Sequence, residues 1–162
     1  EEKESTTIIF SAHGLPENKI KKGDPYQWQV EKSVEKIVDA LFLKKSEYIL
    51  SYQSRVGPLK WIGPSTDKVI VSESKKNKKI ILVPIAFVSE HSETLVELDI
   101  EYKKLAIDNG CKEYVRVSAL TCNEEFIYSL KKSILESGNH KKYTSSIICP
   151  EKFKKCPRLM ET

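Results

Sequence analysis

The residues of this chain best suited to chemistry are two histidines and a run of acids. His13 stands in FSAHGLP, at the end of an apolar, strand-like stretch. His91 opens HSETLVELDIEY, in which Glu93, Glu97 and Glu101 recur at every fourth position. On a helix that spacing predicts three carboxylates within roughly an 80° arc, away from an apolar stripe of Leu95, Leu98 and Tyr102. Each acid then meets another at i+4, a repulsion of a few tenths of a kcal/mol that a solvated face avoids by alternating Glu with Lys. The helix macrodipole accounts for Glu93 in a first turn but not for the acids beyond it. A carboxylate row behind an imidazole suits the passage of protons or of a divalent cation; the plainer reading is an acidic surface. A histidine by itself is more often structural, and His140 in the tail has no such company.

A second constellation is the loop YQSRVGPLKWIGPSTD, where two Gly-Pro pairs bracket Trp61. That punctuation stiffens a turn. A rigid loop presenting an indole suits a flat apolar ligand, and equally suits closure of a core edge. Phe87, before the acidic stretch, can extend the same wall. In KGDPY, Asp24 and Pro25 fit the cap and first turn of a helix.

These residues need elements to position them. Residues 6–11, 48–52, 79–87 and 114–118 read as strands rich in β-branched side chains. Helical periodicity covers 24–42, 64–72, 92–109 and 123–136. Alternating strand and helix predicts a Rossmann-like three-layer α/β domain with a four-stranded parallel sheet. The unalternating IILVPIAFV segment agrees, because helices then cover both faces of the sheet. In such folds ligands bind beyond the carboxyl ends of the strands. His13 follows the first strand, QSRVGP the second and SEHSE the third.

Bulk properties narrow the class. The chain has 162 residues, 40% hydrophobic and 31% charged, enough for one soluble domain with a core. Its net charge of +4 comes from lysine clusters scattered over several segments, which argues against a nucleic-acid footprint. The longest apolar run, 80–88, is too short to span a bilayer and contains Pro84. The acidic start EEKEST is not a signal peptide. Four cysteines without such a signal fit reduced thiols in the cytoplasm. No glycine-rich loop follows the first strand, against a nucleotide-binding role. Opening on Glu1 without methionine, the chain reads as a piece of a longer protein.

SAHGLP, KGDPY, YQSRVGPLKWIGPSTD and LVPIAFVSEHSETLVELDIEY, in this order, resemble the carboxyl-terminal half of ferrochelatases. The resemblance implies a chelatase-like domain over 1–137, with 138–162 a surface tail, and a missing amino-terminal lobe that completes a porphyrin cleft. It implies insertion of Fe²⁺, as substrate, into a porphyrin during haem biosynthesis, with peripheral membrane contact left open. His13 and Glu93 match the family's catalytic positions. His13, His91, Glu93 and Glu97 match its metal or proton route. Trp61, Phe87, Ser51 and Gln53 fall in the segments that meet the macrocycle. Glu90 stands where animal enzymes commonly carry Asp, keeping the charge. Metallation exchanges two pyrrole N–H protons for one divalent cation, so imidazole and carboxylate are the groups the chemistry needs. Some members hold a [2Fe–2S] cluster with tail cysteines. Here the tail offers Cys149 and Cys156, short of the expected set. The alternatives are another tetrapyrrole metal chelatase and a half-protein that binds porphyrin, haem or metal without turnover.

Overall fold

The computed structural model describes residues 6–55, 57–76, 78–139, 150, 152 and 153. Four parallel strands, β1 (Thr6–His13), β2 (Tyr48–Gln53), β3 (Lys79–Pro84) and β4 (Glu113–Arg116), lie in the order β2-β1-β3-β4. The chain leaves β1 for β2 on one side and returns to β3 on the other. The topological switch point, where open α/β sheets place their ligands, is therefore between the carboxyl ends of β1 and β3.

Alternation along β1 explains the layers. Ile9 faces one side, where Ile70, Ile80, Leu82, Leu98 and Ala106 are fully buried. Phe10 and Ala12 face the other side, against Val30, Val34 and Val38 of α2 (Tyr26–Ala40). Each fully buried Leu or Ile contributes about 1.5–3 kcal/mol. The first layer is built by α3 (Thr66–Ser74), a π-helical segment (Glu93–Glu101) and its continuation α4 (Tyr102–Asp108), which follows it without a break. A short α1 (Glu17–Lys21), absent from the sequence reading, precedes α2, and α5 (Glu124–Asn139) closes the described fold. Asp24 accepts the Tyr26 N–H at 2.9 Å, the cap expected from GDPY.

Three details differ from the sequence reading. The third strand ends at Pro84 rather than 87, because Ala86 turns the chain at φ 70° and leaves Phe87 in a loop. The first strand instead runs on to His13, which pairs in register with Gln53. The helix expected at 92–109 opens with wider π turns, so buried positions fall four apart, at Thr94, Leu98 and Ala106, with Tyr102 half-buried between the last two. Leu95, expected in the apolar stripe, is 46% exposed for that reason.

Of the expected tail, Phe153 is buried with its ring 5.8 Å from that of Trp28 on α2. Among the described residues no helix is long and apolar enough to cross a membrane.

Candidate active site

The switch point holds the residues singled out in the sequence. His13 ends β1 with its Nδ1 3.3 Å from Glu93 Oε1, and Glu93 Oε2 lies 3.9 Å from His91 Nδ1. All three side chains are partly open to solvent, at 42%, 35% and 39% exposure. Next to His13, Gly14 donates its N–H to Gln53 O at 2.8 Å. A Cβ at Gly14 would stand 2.8 Å from that same oxygen and 3.4 Å from the Trp61 ring, so only glycine lets the strand end this close to its neighbours. Tyr26 donates its hydroxyl to His13 O, and its phenol is pushed up first by burial and then by the Glu93 charge. Strand β1, α2 and the π segment thus converge on one carboxylate.

The imidazoles are held differently. The Glu93 N–H points at His91 Nδ1 at 3.3 Å, which makes that nitrogen an acceptor and gives the neutral ring its proton at Nε2. His91 also caps the π segment: its N–H donates to Thr94 Oγ1 at 2.9 Å, and that hydroxyl donates back to His91 O. The Phe87 ring packs 5.2 Å from the His91 ring. His13 Nδ1 instead faces a carboxylate oxygen, the partner of a donor. With its proton at Nδ1, the neutral His13 ring presents a lone pair at Nε2.

Glu97, one π turn below Glu93, is occupied. Its Oε1 accepts from the Ser54 N–H at 3.0 Å and the Tyr102 hydroxyl at 2.8 Å. Its Oε2 accepts from Ser54 Oγ at 2.6 Å and Gln53 Nε2 at 3.4 Å. Four donors fill the roughly four lone-pair positions of a carboxylate. Burial, then the adjacent Glu97 charge, push the Tyr102 phenol up. Glu101, the third acid of the row, is exposed.

Ser51 and Gln53 stand beneath the site rather than at its surface. Both are buried, at 0% and 1% exposure. Ser51 donates to Phe10 O at 3.3 Å and shares Thr66 Oγ1 with Ser11, while Gln53 Oε1 accepts from Ser11. Ser51 is enclosed by this network, whereas Gln53 also reaches the wall of a cleft beside Trp61. Their network braces the base of Glu97. Trp61 is half-buried beside this cleft of about 450 Å³, shared with Ser54, Arg55, Glu97 and Tyr102. His13 and Glu93 do not line that cleft.

Ser54 and Thr94 escaped the sequence reading, and Tyr102 entered it only as an apolar-stripe residue, because each acts through a neighbour. The one usable signal was the ETLVELDIEY spacing, in which Tyr102 lies five residues beyond Glu97. Cys149 and Cys156 lie outside the described residues. The described thiols do not fit a cluster: Cys111 is buried with Sγ bonded to the carbonyls of Lys78 and Glu113, while exposed Cys122 lies past the opposite end of β4. Among the described residues no group of three His, Cys, Asp or Glu side chains is gathered closely enough to hold a metal ion.

The ferrochelatase family model matches residues 1–137. The ferrochelatase of Pelagibacter ubique is 64% identical over 156 residues, covering 94% of this chain and 45% of that protein. Those of Rickettsia bellii and Rickettsia prowazekii are 48% and 49% identical, again over 45% of their length. The chain thus spans a little under half the length of these curated relatives. A solved structure described as a cobalamin (vitamin B12) biosynthesis CbiX protein from Marinobacter aquaeolei shares the fold, with a TM-score of 0.53 at 13% identity over 82% of this chain and 96% of that one.

Proposed function

Because the chain belongs to the ferrochelatase family, we propose that it forms the carboxyl-terminal lobe of an enzyme inserting ferrous iron into a porphyrin. The observation that carries this reading is the His13–Glu93–His91 grouping at the switch point, with Glu93 Oε1 3.3 Å from His13 Nδ1.

The reaction removes two pyrrole protons and installs one divalent cation. His13 Nε2 accepts the two pyrrole protons in turn, releasing the first to the solvent that its partly exposed ring meets, and Glu93 stabilises the imidazolium from Nδ1. His91 presents an N–H rather than a lone pair, so in this tautomer it holds the Glu93 backbone and is not an iron ligand. Glu93 offers iron an oxygen through Oε2. An incomplete donor set suits a substrate ion, which must leave for the porphyrin nitrogens. Glu97, saturated by four donors, acts as a fixed negative charge behind this set rather than as a stop for iron. Trp61 and Phe87 supply flat walls against which a macrocycle can be held and buckled.

The second reading is a lobe that binds porphyrin or iron without turnover, favoured by the cleft beside Trp61, which His13 and Glu93 do not line. Porphyrin absorbance, followed under anaerobic conditions as Fe²⁺ or Zn²⁺ is added, separates the two. Repeated turnover by the full-length protein, lost on His13→Ala, supports the enzyme. Stoichiometric binding without metallation supports the binder.

A further inference from the structure

Arg116 ends β4, the edge strand, in register with Leu82 of β3. Its side chain is 8% exposed, yet it touches no substrate-facing group. Nε and Nη2 donate to the two oxygens of Asp99 at 2.7 and 2.8 Å. Nη1 donates to both oxygens of Glu90, at 2.8 and 3.1 Å, and to Val117 O at 3.2 Å. Glu90 Oε1 also accepts the Ala119 N–H at 2.8 Å. Both Glu90 oxygens are thus committed to the guanidinium.

The three partners belong to different parts of the fold. Glu90 immediately precedes His91, at the end of the loop that leaves β3 through Ala86. Asp99 lies on the π segment that carries Glu93. Val117 and Ala119 follow β4. A planar guanidinium can serve two carboxylates as a fork, which an ammonium cannot. Among the described residues the other hydrogen bonds between the loop and the π segment are local, made by His91 with Glu93, Thr94 and Leu95.

We propose that Arg116 is a positioning residue for the metal-and-proton site: by gripping Glu90 and Asp99 together it sets where His91 stands relative to Glu93 and His13. The proposal rests on the ferrochelatase reading for its activity readout but not for its metal-affinity readout.

The test compares Arg116→Met, Arg116→Lys and Glu90→Gln with wild type in the full-length protein. Four quantities are read: Zn²⁺ affinity, metallation rate, porphyrin affinity and amide exchange of residues 87–91. Arg116→Met is expected to weaken Zn²⁺ affinity and metallation by about 10- to 100-fold, as loss of outer partners of metal ligands does. Porphyrin affinity stays within about 2-fold, and exchange in the loop rises. Arg116→Lys recovers part of the loss and remains usable where Arg116→Met fails to fold. Glu90→Gln, which spares the Asp99 fork, reproduces the metal effect. The proposal is overturned if the variants lower only the melting temperature, or if Glu90→Gln leaves Zn²⁺ affinity and loop exchange unchanged. Wild-type protein that binds Zn²⁺ but never metallates porphyrin would remove the enzyme reading while the affinity comparison still decides the role of Arg116.

Discussion

At the amino ends of the strands, Glu73 accepts hydrogen bonds from Lys76 and Thr7 and pairs with Lys78 at 2.9 Å; at the carboxyl ends, Glu93 faces His13 and His91. Both are glutamates on helices packed against one sheet. Glu73 is 5% exposed and neutralised by permanent cations, so its oxygens are committed to holding α3 to β1 and the start of β3. Glu93 is 35% exposed and neighboured by groups that can gain or lose a proton. The first arrangement spends its charge on fixing the fold. The second keeps its charge available. Under the proposed function, burial with ammonium partners against exposure with imidazole partners separates a structural acid from a reactive one in this lobe.

The contrast can be broken most sharply at His13. His13→Ala in the full-length protein is expected to lower metal insertion about 10²- to 10⁴-fold, the usual weight of a proton-transfer group. Unfolding free energy should change by no more than about 0.5 kcal/mol, since the side chain is 42% exposed. Insertion that survives this change places the chemistry elsewhere.

The opposite outcome is expected at the closed end. Glu73→Ala strands Lys78 and Thr7 and should cost about 2 kcal/mol in a urea titration, a figure held down because Lys76 is half exposed. Activity per folded molecule should stay constant. A loss of activity beyond the loss of folded protein would erase the distinction between the two ends.

A smaller effect sharpens the position of Glu97. Ser54→Ala removes one of its four donors and loosens the loop carrying Trp61. Porphyrin binding, followed by tryptophan quenching, should weaken about 5-fold, equivalent to one hydrogen bond of about 1 kcal/mol. Zn²⁺ affinity should hold. A fall in Zn²⁺ affinity instead would return Glu97 to the role of ligand.

The smallest effect is in acid. Burial pushes Glu73 up, but bonds from Lys76, Lys78 and Thr7 and the Lys78 charge win and hold its carboxyl below the ordinary 4.5. The folded state therefore binds this proton less readily than the unfolded chain. Its contribution to stability is complete above pH 4.5 and declines as pH falls through the lowered folded value. Urea midpoints measured below pH 4.5 should fall less steeply with acid in Glu73→Gln than in wild type. Equal slopes would mean that other carboxylates carry the acid sensitivity.

Much of this lobe was readable along the chain. Strand and helix periods gave the alternation, and alternation with a parallel sheet put His13 and His91 at one edge. The motifs carried the family resemblance. The misreadings are as informative. Leu95 was assigned to the apolar stripe because an α-helical period was assumed, whereas the π turns shift burial to every fourth residue. For Ser51 and Gln53 the expectation gains detail: the pleat of β2 turns both toward Ser11 and Thr66, and Gln53 also lines the cleft beside Trp61.

Residue types and their spacing by themselves determined that imidazoles and carboxylates would meet at the carboxyl edge of a parallel sheet, because propensity and periodicity are properties of neighbours in the chain. Only the tertiary structure decided how each was held. The Glu93 N–H makes His91 Nδ1 an acceptor, four donors fill Glu97, and Arg116 joins Glu90 to Asp99 across 26 and 17 positions of sequence. These depend on side chains distant in the chain meeting within about 3 Å, a distance that hydrogen bonds require and that no local pattern encodes.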